Sequence, residues 1–244
     1  MSETAASPAA AGAHAAGHAH HPALQHHFVD LHQQREASTL GMWVFIAQEV
    51  LFFGGLFASY AIYRYQYPAA FSAGSHHLSW KIGFANTLVL IASSLTMAMA
   101  VYSAAVGRRR RIAGFILATI LLGSVFLTVK YFEYEEKIAP CLGDGPYAGC
   151  LLPGERFDPS AVHLEGVGGG HVQIFFSLYF GMTGLHALHM IIGIPILATI
   201  AFMALRGRFS PEYHTPVELV GLYWHFVDII WIFLFPLLYL IGAH

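Results

Sequence analysis

Charged residues are scarce in this chain of 244 residues. Lys, Arg, Asp and Glu together make up 11% of it, whereas 56% of the residues are hydrophobic. A soluble domain usually has about 25% charged residues. The formal net charge of -2 supplies no basic surface for nucleic acid. The composition therefore excludes a nucleic-acid-binding protein and favours one membrane domain over two soluble domains.

Cysteine is nearly absent. The two cysteines, Cys141 and Cys150, lie in one loop that also contains Gly, Pro and Asp. A zinc site needs more ligands at closer spacing, so we expect no metal in this loop. If the loop faces an oxidising compartment, the two thiols form a disulfide, and two unpaired cysteines are the alternative.

The N-terminal region lacks the apolar core of a secretory signal peptide. It is rich in Ala and His, with seven histidines between His14 and His32. Such histidines can bind a metal weakly, but a solvated low-complexity segment is the more common outcome. We interpret residues 1–39 as a low-complexity tail on the cytoplasmic side of a membrane.

Long hydrophobic runs dominate residues 40–244. Five of them are long enough for the ~20 residues that a helix needs to cross a bilayer core of ~30 Å. A barrel strand needs only about ten residues, so these lengths predict helices. The expected fold class is an all-α integral membrane protein with a bundle of five transmembrane helices, at about residues 40–63, 82–106, 112–132, 172–205 and 217–241.

The arginines set the expected orientation. Four consecutive arginines at 108–111 fill the link between the second and third spans, and Arg206 and Arg208 lie between the fourth and fifth. Basic links face the cytoplasm. The N-terminus is therefore predicted to be cytoplasmic and the C-terminus periplasmic, with the cysteine loop on the outer side.

Glu49 is the residue of the spans that most strongly indicates a function. It lies in an apolar run with no basic residue within one helical turn. An ionisable group at that depth indicates a specific role, either in handling protons or in a hydrogen-bonded contact between helices. In the fourth span, His186 and His189 lie three residues apart beside Gly181 and Gly184, and these small residues favour close helix approach.

A second ionisable pair lies in the fifth span. His225 and Asp228 are one helical turn apart and share a face. Counted from spans that begin at residues 40 and 217, Glu49 and His225 are both ~13 Å from the cytoplasmic end, whereas His189 is ~24 Å from it. We therefore expect Glu49 to contact His225. Lys130, near the outer end of the third span, is expected to extend its amine toward the surface.

Several cofactor and transport functions fit these residues poorly. A metalloprotease helix places its histidines four residues apart around a Glu, and a haem needs histidines on two facing spans at equal depth. We therefore interpret His186, His189, His225 and Asp228 as interior hydrogen-bonding groups, with no metal on the chain. A stand-alone proton or ion transporter remains a different class of function, although no internal repeat is visible. A membrane cytochrome b is another different class of function.

Five stretches together resemble subunit III of the haem–copper oxidases, the cytochrome c oxidase type in particular. They occur in the family's order, and the resemblance covers about residues 40–242. The matching stretches are WVFIAQEVLFFGG at 43–55, NT at 86–87, EY at 133–134, TGLHALH at 183–189 and YWHFVD at 223–228. This chain resembles the last five helices of a family that often has seven.

The resemblance implies a subunit without haem or copper, which are expected in oxidase subunits I and II. It implies a non-catalytic role in a proton-pumping terminal oxidase that reduces oxygen to water, with cytochrome c as the electron donor to the complex. The subunit would support stability, structural phospholipid binding and proton uptake in a bacterial inner membrane. Glu49 matches the family's intramembrane glutamate, and Arg206 and Arg208 are candidates for lipid phosphates. Subunit III of a quinol oxidase and the accessory protein of a nitric oxide reductase are the alternatives within the family.

Overall fold

The protein was analysed as a computed structural model, which describes residues 24–142, 149–154, 158 and 169–240. These residues form six α-helices, and a 3-10 turn at Ala139–Cys141 follows the fourth. Five of the six are long and apolar enough to cross a membrane, and only the short second helix is not. The helices are α1 Leu31–Gln66, α2 Pro68–His76, α3 Trp80–Ala105, α4 Arg109–Ile138, α5 Gly169–Leu205 and α6 Thr215–Tyr239.

The predicted spans are confirmed as helices, but their bounds differ. α1 begins at Leu31 rather than at residue 40, because Asp30 caps it: its Oδ1 accepts a hydrogen bond of 2.7 Å from the backbone N–H of Gln33. α4 continues to Ile138 beyond its apolar run. Hydropathy locates the part of a helix that suits lipid, whereas caps and tertiary contacts decide where the helix ends. Most of the tail predicted at 1–39 lies outside the described residues.

Two matching turns join the helices at one end of the bundle. Gly107 and Gly207 follow α3 and α5 with φ of 72° and 73°, a conformation that favours glycine. In each turn the next residue donates back to the helix, Arg108 to the carbonyl of Ser103 at 2.9 Å and Arg208 to that of Met203 at 3.1 Å. These are Schellman caps. We call this end, which carries the arginines at 108–111, 206 and 208, the arginine face.

The short helix α2 closes the opposite end, which we call the disulfide face because it leads to Cys141 and Cys150. Its Ser75 hydroxyl donates to the Leu238 carbonyl of α6 at 2.8 Å. Gly74 lies so close to α5 that an added Cβ would be 2.2 Å from a ring carbon of Phe175. The sequence did not predict α2, since its nine residues are too short to span a membrane.

The helices differ in how central they are. In the most apolar window of α6, 56% of the residues are buried within the bundle, whereas in α1 only 11% are. α6 is therefore the central helix, and α1 lies at the periphery, where much of its apolar surface is left to lipid or to another subunit. Two fully buried indoles of α6, those of Trp224 and Trp231, fill the centre of the core.

Candidate functional site

Glu49 and His189 form an acid–base pair between two helices of the bundle. Glu49 projects from α1 and is 9% exposed, and its Oε2 lies 3.3 Å from Nε2 of His189 on α5. The ring of Phe53, one turn further along α1, packs 5.5 Å from the imidazole, centre to centre. The peripheral helix is thus joined to the bundle by a polar contact in the middle of its apolar length.

The hydrogen bonds of His189 restrict its protonation. Its Nδ1 lies 2.8 Å from the carbonyl oxygen of Leu185. A carbonyl only accepts hydrogen bonds, so Nδ1 carries a proton. Nε2 is then left to face the Glu49 carboxyl group. The 3.3 Å between Nε2 and Oε2 is an ion-pair distance, and Glu49 Oε2 has no hydrogen-bond partner among the described residues.

The predicted contact between Glu49 and His225 is wrong. The two residues do lie at similar depth, because Phe45 packs against Tyr223 and Phe53 against Phe226, with ring centres 6.0 and 6.3 Å apart. However, Nδ1 of His225 lies 2.7 Å from the Ser94 hydroxyl of α3. The residue beside Glu49 is His189 of α5.

His225 and Asp228 have a different polar neighbour, Ser94 on α3. The Ser94 hydroxyl lies 2.7 Å from Nδ1 of His225 and also lies beside the Asp228 carboxyl group. The sequence placed His225 and Asp228 on one face of a helix correctly but did not identify Ser94. A serine in an apolar helix carries no signal of its own until the facing helix is known.

His186 departs from the expectation of a hydrogen-bonded interior histidine. It is 1% exposed, and neither ring nitrogen has a hydrogen-bond partner among the described residues. Its contacts are aromatic, with ring centres 5.4 Å from Phe126 and 5.1 Å from Trp231. Thr183, one turn before His186 in the stretch TGLHALH at 183–189, is hydrogen-bonded to the Tyr134 hydroxyl group of α4.

The sequence did not predict the polar cluster that surrounds Lys130. Lys130 of α4 is 4% exposed and does not extend to the surface as expected. Its ammonium group donates to Glu133 Oε2 at 2.9 Å, to the Tyr239 hydroxyl at 2.7 Å and to the Tyr179 hydroxyl at 3.2 Å. All three N–H donors are therefore used within the bundle.

Glu133 completes this cluster. Its Oε1 accepts from the Tyr179 hydroxyl at 2.9 Å and from the Tyr239 hydroxyl at 2.6 Å. Lys137 adds a hydrogen bond of 3.3 Å to the Glu133 carbonyl. The positions 130, 133 and 137 follow the i, i+3 and i+4 spacing of one helix face, which was the available signal. We call Lys130, Glu133, Tyr179 and Tyr239 the Lys130 cluster.

The two remaining candidate sites lie at the ends of the bundle. Cys141 and Cys150 are joined by a disulfide, with Cα atoms 4.9 Å apart. On the arginine face, Arg206 and Arg208 are exposed, and the Arg206 guanidinium lies 4.2 Å from the centre of the Phe202 ring. Within the described ranges, no group of three or more His, Cys, Asp or Glu side chains is arranged to hold a metal ion.

The five membrane-length helices and their buried ionisable groups define a multi-pass membrane protein. The family model for cytochrome c oxidase subunit III matches residues 28–163 and 171–243, so the chain belongs to that family. It is thus subunit III of a terminal oxidase and associates with other oxidase subunits.

Curated relatives agree with the family. Cytochrome c oxidase subunit 3 of Loxodonta africana is 31% identical over 220 residues, which cover 86% of this chain and 71% of the relative. Cytochrome c oxidase subunit 3 of Thermostichus vulcanus is 30% identical over 211 residues, 86% of this chain and 90% of the relative. Cytochrome bo(3) ubiquinol oxidase subunit 3 of Pseudomonas putida is 27% identical over 215 residues, 87% of this chain and 89% of the relative.

Proposed function

We propose that this chain is the non-catalytic subunit III of a proton-pumping oxidase that receives electrons from cytochrome c and reduces oxygen to water. Haem and copper reside in subunits I and II, and this subunit supports the stability and proton uptake of the catalytic subunit. The proposed location is a bacterial inner membrane, with the arginine face toward the cytoplasm, because basic links remain on that side. The observation that carries the proposal is the buried Glu49–His189 pair within a chain of this family.

We propose that Glu49 and His189 share one proton and that this proton is the chemical basis for a role in proton uptake. A pair that holds one proton between two bases can accept or release it with small movements, since the two heavy atoms are 3.3 Å apart. A pair with a purely structural role would join α1 to α5 and do nothing else. Exchange of Glu49 for an amide distinguishes these roles, because Gln preserves the shape and removes the titratable carboxyl group.

The arginine face and a neighbouring groove support the binding of structural phospholipid. Arg206 and Arg208 are exposed at the level where lipid phosphates lie, and neither forms an ion pair with a described carboxylate. An apolar groove of about 480 Å³ runs between α1 and α6, and residues such as Trp43, Phe57 and Phe233 line it. We propose that acyl chains lie in this groove and that lipid phosphates contact the two arginines.

A quinol oxidase is the second candidate, because the Pseudomonas putida relative is named as a subunit of a ubiquinol oxidase and covers as much of this chain as the others. Purification of the complex from native membranes distinguishes the two. Oxidation of reduced cytochrome c by a complex with haem absorbance and a copper-containing subunit II supports the first proposal. Quinol oxidation without cytochrome c oxidation supports the second, and a complex without haem contradicts both.

Labelling with a lipid-soluble carbodiimide tests the shared proton, since this reagent modifies protonated carboxyl groups in apolar surroundings. His189→Leu removes the competing base and is expected to raise the labelling rate of Glu49 by about tenfold. A hydrogen bond to a charged group contributes ~1.5 kcal/mol or more, and ~1.4 kcal/mol corresponds to a factor of ten. Mass spectrometry of the purified complex measures the modified fraction.

His225→Leu is the matched control, because His225 lies on another helix and makes no ion pair with Glu49. It should leave the labelling rate of Glu49 unchanged, and Glu49→Gln should abolish labelling at this position while the complex still assembles. Equal rates in the wild type and in His189→Leu would contradict the shared proton.

A further inference from the structure

Three buried polar side chains in the bundle core lack hydrogen-bond partners among the described residues. Asp228 on α6, Asn86 on α3 and His186 on α5 are 3%, 3% and 1% exposed. The unpartnered atoms are both carboxyl oxygens of Asp228, Oδ1 of Asn86 and both ring nitrogens of His186. Buried polar atoms are nearly always hydrogen-bonded, because an unpaired polar atom in the interior is unfavourable. Such atoms on three different helices point to a bound ligand.

The three side chains border one part of the core. The rings of Phe126 and Trp231 pack against each other, and both contact His186. The Asn86 amide donates to the carbonyl oxygen of the same Phe126 at 3.3 Å. Asp228 lies one helical turn before Trp231 and therefore on the same face of α6. Asn86 and His186 thus both contact this aromatic pair, and Asp228 lies one turn along α6 from it.

The polar neighbours supply at most one of the missing hydrogen bonds. The indole N–H of Trp231 already donates to Oγ1 of Thr87 at 3.0 Å. The Ser94 hydroxyl, 2.7 Å from Nδ1 of His225, has one proton and serves at most one oxygen of Asp228. Among the unpartnered atoms themselves, acceptors outnumber donors whether or not Asp228 is protonated, since a carboxyl group and a neutral imidazole each donate at most once and an amide oxygen only accepts. The ligand must therefore provide donors as well as accept a hydrogen bond.

We propose that the core binds internal water between Asp228, Asn86 and His186. Water is the smallest ligand that both donates and accepts, and buried waters typically make about three hydrogen bonds to otherwise unpaired groups. The same water extends the polar line from His225 and Ser94 through Asp228 to His186. This site uses side chains other than Glu49 and His189, although His186 lies one turn of α5 from His189. It does not depend on the electron donor of the complex.

X-ray radiolysis of the intact complex tests the proposal, because it generates hydroxyl radicals from water in place and oxidises the adjacent side chains. Trp231 and Trp224 are both fully buried indoles of α6, so bulk radicals reach neither. The indole N–H of Trp224 is paired with Ser93 at 2.8 Å, away from the unpartnered atoms. We expect several-fold more oxidation of Trp231 than of Trp224, as measured by mass spectrometry. Equal, low oxidation of the two indoles would overturn the proposal.

Variants of the site distinguish internal water from a dry core and from a bound cation. Asp228→Leu, similar in size but apolar, is expected to lower the oxidation of Trp231 to the level of Trp224, and Asp228→Asn is expected to retain it. If Asp228→Leu prevents assembly, His186→Phe is the alternative, because it removes the polar ring that α5 contributes to the site. We expect it to lower the oxidation of Trp231 by the same amount. Unchanged oxidation of Trp231 in these apolar variants overturns the proposal. A thermal midpoint that falls when choline replaces sodium would assign the site to a cation and overturn it as well.

Discussion

Replacement of Lys130 by Met is expected to lower the free energy of unfolding of the subunit by ~3–5 kcal/mol, the usual effect of breaking a buried ion pair. Met matches the length and apolar stem of Lys, so little packing is lost. What remains is the Glu133 carboxylate inside the bundle, without its closer cation and with only the Lys137 ammonium 3.9 Å from Oε1. The two phenols that donate to it, those of Tyr179 and Tyr239, cannot replace a full charge. Chemical denaturation of the purified complex in detergent, followed by tryptophan fluorescence, measures the change.

The double variant Lys130→Met/Glu133→Leu shows whether the pair acts as a unit. We expect it to be destabilised by less than the sum of the two single variants, because each single variant already breaks the interaction between Lys130 and Glu133 and the double variant loses it only once. Lys81→Met is the matched control: this lysine starts α3 and is exposed, so its replacement should change stability by less than ~0.5 kcal/mol. Additive single effects would contradict an ion pair between Lys130 and Glu133.

A milder variant isolates one hydrogen-bonded group of the Lys130 cluster. The Tyr239 hydroxyl accepts from Lys130 at 2.7 Å and donates to Glu133 at 2.6 Å, so it bridges the two charges. Tyr239→Phe removes only this hydroxyl and is expected to be destabilising by ~1.5–3 kcal/mol, the range for hydrogen bonds to charged groups. The same denaturation measurement in detergent checks this value, and a loss as large as that of Lys130→Met would contradict it.

The Lys130 cluster also illustrates what a single sequence conceals. Lys130 and Glu133 are one helical turn apart, which predicts that they share a face but not which way that face points. A lysine near the end of a membrane helix usually extends to the interface, so the expected orientation was outward. The tyrosines that hold it inward lie 49 and 109 residues away on α5 and α6. Contacts of such separation depend on the arrangement of the helices.

The five spans themselves were predictable, because their apolar length is a local property of the sequence. The partner of Glu49 was not. Its prediction depended on depth alone, and the ring contacts of Phe45 with Tyr223 and of Phe53 with Phe226 do place Glu49 level with His225. The His225 imidazole lies against Ser94 of α3, however, and His189 of α5 lies beside Glu49. Equal depth therefore does not identify the partner of a buried charge, because the direction of each side chain depends on how the helices are arranged.

The glycines of α5 also show that contacts between helices are not predictable from one helix alone. Gly181 and Gly184 were expected to mark a close approach of helices. A Cβ added at Gly181 would meet no atom within 4 Å, and one at Gly184 would reach only the Tyr134 hydroxyl at 3.9 Å. Close approaches occur at other glycines, among them Gly123 of α4 and Gly193 of α5, where the indole of Trp224 occupies the space. The bulky partner of a glycine cannot be read from the glycine's own helix.

Trp224→Ala is expected to lower the free energy of unfolding by ~3–5 kcal/mol, because it empties the centre of the bundle. The indole is fully buried, lies between Gly123 and Gly193, and donates its N–H to the Ser93 hydroxyl at 2.8 Å. Its loss leaves a cavity among four helices, α3 to α6, which cannot all move inward together. Denaturation of the purified complex measures the effect, and the denaturant slope reports whether the bundle remains compact.

Filling the same space from the other side should also be destabilising. A Cβ at Gly123 would lie 2.9 Å from a ring carbon of Trp224, closer than such atoms approach, so Gly123→Ala is expected to lower stability by ~1–3 kcal/mol. Gly114→Ala, on the same helix, has no atom within 4 Å of its added Cβ and should be neutral or stabilising by up to ~1 kcal/mol. In Trp224→Ala the clash is absent, so adding Gly123→Ala there should do no further harm. An equal loss from Gly123→Ala in both backgrounds would mean that α4 and α6 do not meet through this indole.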